Sequence, residues 1–202
     1  MVQINNNFMK VFLTALILIF SLQSWTKADD IRDFEIEGMS IGDSLLLYVS
    51  EKQIKDNMLT DYPGSKKFSR VQLGQFLNLN KFDDVQFHFQ TEDKQYKIEA
   101  ISAGIFFYND FAMCLEEKKI IYNDIKNEFL DLEEKVNIGT HDYDNESKVN
   151  MNYLYFPNGG LIRIGCIDWT NKIENERGWR DHLAVGLNSE KFRNWKNNEA
   201  YN

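Results

Sequence analysis

The sequence predicts an α+β domain: an antiparallel sheet with helices packed on one face. Three observations lead there. Two separate stretches alternate apolar and polar residues with a period of two, a helical pattern precedes each of them, and short polar turns join the alternating runs. The composition, 14% aromatic with only two prolines, is that of a packed globule rather than a disordered tail.

The chain opens with Met9-Lys10, an apolar run from Val11 to Phe20, and Thr26-Lys27-Ala28 before Asp29-Asp30. One positive charge, a short apolar core and a small-residue exit are the layout of a secretory signal peptide over residues 1–28, cleaved after Ala28, with Met9 as a candidate initiator. The run is about half of the ~20 residues that a bilayer span needs, so no membrane anchor is expected after cleavage. The segment carries Lys10 and Lys27 and no acidic residue, so its loss moves the net charge from −8 to −10. The remaining 174 residues, 29–202, suit one domain with a sizeable core. A field of that sign repels nucleic acid and anionic lipid and leaves basic partners, cations and neutral ligands open; the expected partner is a protein or a small ligand of the cell envelope.

Ser40 with Asp43, and Ser50 with Gln53, are capping patterns that predict two short helical turns between Ile41 and Asn57. After Tyr62-Pro63-Gly64-Ser65 the period changes. Phe68 to Leu73 reads as a weak strand; Val85, Phe87 and Phe89 then alternate with Gln86, His88 and Gln90, and a turn at Glu92-Asp93-Lys94 leads into Tyr96, Ile98 and Ala100. This is a hairpin with one buried face, and His88 falls on its other face. Cys114 to Leu132 is the strongest helix, with Cys114, Ile121, Ile125, Phe129 and Leu132 on one stripe. A polar loop from Gly139 to Lys148 follows. Met151, Tyr153 and Tyr155 alternate with asparagines up to Pro157-Asn158-Gly159-Gly160, where Asn-Gly supplies the positive φ of a tight hairpin. Ile162, Ile164 and Cys166 share a face on the return strand, His182 to Leu187 forms a third strand, and Ser189 caps a last helix running through Trp195.

Helix then hairpin, twice, suggests two α-β-β-β half-repeats, 34–108 and 111–198. In this the chain resembles small periplasmic or secreted proteins built from tandem α-β-β-β repeats, the β-lactamase-inhibitor-like and SmpA/OmlA-like folds. Ile36-Glu37-Gly38-Met39-Ser40, ahead of the first helix, is similar to the Gly-Met-Ser/Thr start of such repeats. The resemblance implies a protein that binds other proteins or supports envelope assembly, without enzymatic activity. The mature chain is also similar to uncharacterised exported bacterial proteins, from which no activity transfers.

Cys114 and Cys166 are the two cysteines of the chain, and an even pair in an exported protein points to a disulfide. Closing a loop of about fifty residues removes denatured-state entropy worth about 4 kcal/mol. No C-x-x-C is present, and neither cysteine has a second Cys or His at zinc-finger spacing, so neither a redox motif nor a zinc site is expected.

Gly42-Asp43-Ser44-Leu45 resembles the opening block of the GDSL esterases, which would make Ser44 a nucleophile. That family requires a C-terminal Asp-x-x-His, because a neutral hydroxyl attacks poorly without a base in reach. Here Val85, Ile138 and Trp179 stand three residues before His88, His141 and His182, so no histidine completes the pattern. Gly38-Met39-Ser40-Ile41-Gly42 also fits the G-x-S-x-G elbow, but the charged Phe34-Glu35-Ile36-Glu37 is a poor strand to precede it. His141-Asp142-Tyr143-Asp144-Asn145-Glu146 places polar groups as a calcium loop does, yet Ser147 stands where the turn glycine belongs and Tyr153 where the bidentate glutamate belongs. Trp169, Trp179 and Arg180 form a candidate interaction patch, since Trp and Arg bury large areas while keeping a polar handle. The expectation is thus a periplasmic or secreted, non-enzymatic binding protein with no catalytic residue, cofactor or metal, and a secreted esterase using Ser44 as the alternative.

Overall fold

The computed structural model describes residues 30–59, 62–108, 110–129 and 132–202, so the expected signal peptide lies outside the described residues. Among these, seven strands form one antiparallel sheet: β1 (Phe68–Gln72), β2 (Asp84–Gln90), β3 (Ala100–Phe106), β4 (Glu133–Thr140), β5 (Lys148–Tyr155), β6 (Leu161–Asp168) and β7 (His182–Asn188). Their order across the sheet is β1-β2-β3-β7-β6-β5-β4. The helices are α1 (Glu51–Asp56), α2 (Phe111–Glu128), α3 (Asn171–Arg177) and α4 (Glu190–Asn198). The α+β class holds. Among the described residues no helix is long and apolar enough to cross a membrane.

The first face of the sheet is built by the period-two pattern. Phe87 on β2, Ile101 on β3, Val185 and Leu187 on β7 and Ile162 and Ile164 on β6 are almost fully buried there. Ile121 and Ile125 of α2 and the N-terminal residues Ile36, Met39, Leu45 and Ile54 cover them. Truncating one such aromatic to alanine costs about 3–5 kcal/mol through lost transfer energy and a residual cavity. Helix α2 starts when Asp110 accepts the Met113 N–H, one turn earlier than the apolar stripe indicates. Cys114 on α2 is bonded to Cys166 on β6, with Cα atoms 6.0 Å apart. The bridge therefore ties the covering helix to the sheet at the point where both present apolar faces.

Helix α4 packs on the opposite face and so adds to the expected single layer of helices. Ser189 caps it through the Phe192 N–H, and Phe192 and Trp195 pack on Phe68 of β1, with ring centroids 5.4 and 4.8 Å away. This corrects the surface placement of His88. The side chain does point away from the first core, but α4 covers it: it is 6% exposed, its ring lies 4.5 Å from that of Phe192, and its Nε2 shares a 2.9 Å hydrogen bond with Tyr62 Oη.

Other differences are local. Ser50 and Gln53 form the expected capping box and start α1. Ser40 starts no helix; its N–H donates to Asp43 Oδ2 in a turn where Gly42 adopts φ 97°, and Ser44 caps the 3-10 turn Leu45–Leu47 instead. The strand after β2 begins at Ala100, because Tyr96 has φ 50° and Lys97 pairs with Ser44 rather than with β2. The second meander, β4 to β7, has four strands against three in the first, and β7 joins it to β3.

Candidate functional site

The second face of the sheet is left open between α4 and the segment after α3, and a groove of about 660 Å³ occupies it. Its floor is low because the residues facing outward there are small: Ser102 and Gly104 on β3 and Ala184 on β7. Register explains the rest. Arg163 on β6, Gly186 on β7 and Ser102 on β3 lie side by side across three strands. The Arg163 side chain runs over Gly186, where an added Cβ would stand 2.6 Å from its Nε, and reaches across β7 to donate from Nη2 to Ser102 Oγ at 3.1 Å. A glycine at 186 is thus what allows an arginine to lie flat along the floor.

Aromatic rings form one wall. Trp169 is 7% exposed and Trp179 39% exposed, with ring centroids 4.7 Å apart; Tyr143 packs at a tilt against Trp179 at 4.9 Å and His141 against Trp169 at 4.6 Å. Hydrogen bonds fix this wall from behind. The buried Asp181 carboxylate accepts the Trp169 backbone N–H at 2.7 Å. Asp144 accepts the N–H and the hydroxyl of Ser147, whose Oγ in turn accepts the Thr170 N–H, so the 141–147 loop is pinned to the end of β6. Gly178, in the left-handed region at φ 70°, ends α3 and turns the chain so that Trp179 and Arg180 reach the groove. The three residues expected as a patch, Trp169, Trp179 and Arg180, all line this one groove. The opposite end is closed by Tyr201, packed edge-on against Tyr62, and by Arg70, whose guanidinium stands 5.6 Å from the Tyr62 ring centroid.

The groove floor is electropositive inside an acidic protein. Arg163 makes no ion pair among the described residues, and its buried Nε–H has no hydrogen-bond partner there. Burial lowers its pKa, and the groups that offset this are the hydroxyls of Tyr153, Tyr62 and Tyr201 rather than a carboxylate. The partly buried Lys196 of α4 is driven down to about 7 by the charge of Arg163, then by burial, then by Arg70. Burial, Lys196, Arg70 and Arg163 together hold His88 well below the usual imidazole range. Asp84, a carboxylate of the groove lining, is bonded to Gln72 Nε2 at 2.6 Å and raised by burial. The buried Trp169 Nε1–H also has no hydrogen-bond partner among the described residues.

The remaining sequence candidates fall elsewhere. Ser44 Oγ donates to the Gln95 carbonyl at 2.5 Å and accepts the Leu46 N–H at 3.3 Å, and among the described residues no histidine is a partner of it. His88 is taken up by Tyr62, His141 Nδ1 accepts the Tyr143 N–H, and His182 Nδ1 bonds the Arg180 carbonyl. The carboxylate of Asp144 is spent on loop hydrogen bonds, and among the described residues no three His, Cys, Asp or Glu side chains gather as a metal set.

Sequence reasoning missed Arg163, Arg70 and Lys196. Their signal was present in part: Arg163 lies on the face of its strand opposite Ile162, Ile164 and Cys166, two residues before Gly165. What joins it to Gly186 and Ser102 is register between distant strands, which no local pattern encodes. No protein-family model, curated protein or solved structure matches this chain.

Proposed function

We propose that the protein is an exported, non-enzymatic binding protein that takes a small ligand in the groove on the second face of its sheet. The observation that carries this reading is the meeting, in one cavity, of an aromatic wall and a basic floor, with a buried donor of each, Trp169 Nε1 and Arg163 Nε, without a hydrogen-bond partner among the described residues. A buried polar group without a partner costs free energy comparable to a lost hydrogen bond, and a ligand that accepts from it removes that cost. The volume lies within the ~300–1,000 Å³ typical of small-ligand pockets. Export follows from the reading of residues 1–28 as a signal peptide, and the Cys114–Cys166 bond is compatible with an oxidising periplasmic or secreted location.

Binding without conversion is favoured because the candidate nucleophile and the three histidines are bonded elsewhere. The test is a thermal-shift survey of anionic, neutral and cationic small molecules with the wild type and Ala184→Trp, which fills the groove from its floor. A stabilising ligand that no longer acts on Ala184→Trp supports the reading. If no compound of any class stabilises the wild type, or if stabilisation is the same in the variant, the groove is not the site.

A further inference from the structure

Arg163 has the position of a ligand anchor rather than of a structural cation. A guanidinium kept for stability is expected to face a carboxylate, since burying an unpaired charge is costly. Here its hydrogen-bond partner among the described residues is the neutral Ser102 hydroxyl, at 3.1 Å, and that bond uses Nη2 alone. Its Nε–H is left over, buried over Gly186, while the residue itself lines a cavity whose lining also includes Arg70. The like charge of Arg163 falls on Lys196 strongly enough to bring its pKa down to about 7, so that the ammonium is only partly charged at pH 7. Lys196 makes no ion pair among the described residues either. Arg163 and Arg70 line the groove, and Lys196, outside that lining, is close enough to feel both charges; in a chain of net charge −8 these cations form a site for an anion, and the acidic remainder of the surface restricts that affinity to this spot.

The planar fork of an arginine matches oxyanions, and several converging donors suit a tetrahedral, multiply charged group better than a single carboxylate. We infer that the groove binds a ligand through a phosphate or sulfate group seated on Arg163, beside Arg70, with the rest of the molecule lying toward Trp169 and Trp179. This inference rests on the groove being the ligand site.

The test uses inorganic phosphate and sulfate as probes, with sodium acetate and a neutral sugar as comparisons, at constant ionic strength. Binding is read by intrinsic tryptophan fluorescence, to which Trp195 contributes alongside Trp169 and Trp179, and by calorimetry. Sulfate or phosphate is expected to bind measurably and more tightly than acetate. Arg163→Met should weaken it at least about tenfold, equivalent to ~1.4 kcal/mol, and Lys196→Met should weaken it several-fold. Lys148→Met, which removes a surface cation paired with Asp168, should leave it unchanged. Should Arg163→Met fail to fold, Lys196→Met and Gly186→Ala, which pushes the guanidinium aside, carry the test. The inference is overturned if neither oxyanion binds, if acetate binds as tightly, or if binding survives the substitutions. In those cases a neutral compound whose binding is lost in Ala184→Trp would leave the groove reading standing, whereas no binding by any class would remove both.

Discussion

Replacing Lys196 with methionine keeps most of the stem and deletes the ammonium. In the folded chain that group titrates at about 7 against an ordinary 10.5, chiefly because Arg163 repels it, with burial and Arg70 adding to the effect. The unfolded chain holds its proton up to the ordinary value, so between the two values the unfolded state binds more protons and stability rises with pH. Below pH 7 the native state carries the full penalty. At about 1.4 kcal/mol per pH unit this penalty is on the order of 5 kcal/mol at pH 6 and about 2 kcal/mol at pH 9. Against a total of roughly 5–15 kcal/mol for a domain, such a difference is large. Lys196→Met should therefore unfold at markedly higher urea concentration than the wild type at pH 6, with a gap about 3 kcal/mol smaller at pH 9. Comparing the two proteins pairwise at each pH cancels the titration of the groups that Lys196 does not influence, His88 being one that it does. The measurement is equilibrium urea denaturation at pH 6, 7.5 and 9 in buffers free of phosphate and sulfate. A variant no more stable than the wild type at pH 6, or a gap that does not change with pH, would refute the electrostatic reasoning about this corner of the fold.

Three other perturbations separate the roles assigned above. Replacing Cys114 and Cys166 together by alanine reopens a link spanning 52 positions of sequence and should cost about 4 kcal/mol, read as a lowered urea midpoint that dithiothreitol does not lower further. Gly186→Ala places a methyl against the flexible end of Arg163 rather than against backbone, so sulfate binding should fall while the melting temperature moves by only a few degrees. Ser44→Ala removes the cap of the Leu45–Leu47 turn and should cost about 1 kcal/mol, with p-nitrophenyl acetate hydrolysed at the buffer rate by both proteins. Turnover that disappears in Ser44→Ala alone would instead make Ser44 a nucleophile and replace the binding reading with an esterase.

Legibility followed the range of each interaction. Elements whose pattern is local could be read: Ser50-Gln53 starting α1, the β2 alternation, the Ser189 cap of α4, and the pairing of two cysteines placed on facing apolar stripes. Strand β4 was invisible because it is an exposed edge along its whole length, so burial imposes no alternation on Glu133 to Thr140. Helix α3 is seven residues long, too short for a periodic signal against its Thr170 cap and Gly178 stop. His88 was misplaced for a related reason: period two identifies the side of a sheet a residue occupies, but not whether a helix about a hundred residues later covers that side. The aromatic part of the groove could be named from composition at Trp169, Trp179 and Arg180, while its basic floor depended on strands brought together from opposite halves of the chain.

The position of β7 governs the order in which this molecule can be finished. It is the last strand in sequence and the middle one in space, hydrogen-bonded to β3 on one side and to β6 on the other. Until residues 182–188 are present, the two meanders have no ladder between them, and each presents a full unpaired edge. Such edges are templates for pairing with other chains, so a partly translated molecule is exposed to aggregation in a way that the complete one is not. A truncation before His182 would thus not merely shorten the protein; it would leave two separate sheets and no floor between them. The groove, whose base spans β3, β7 and β6, comes into being only with the closing of this central seam.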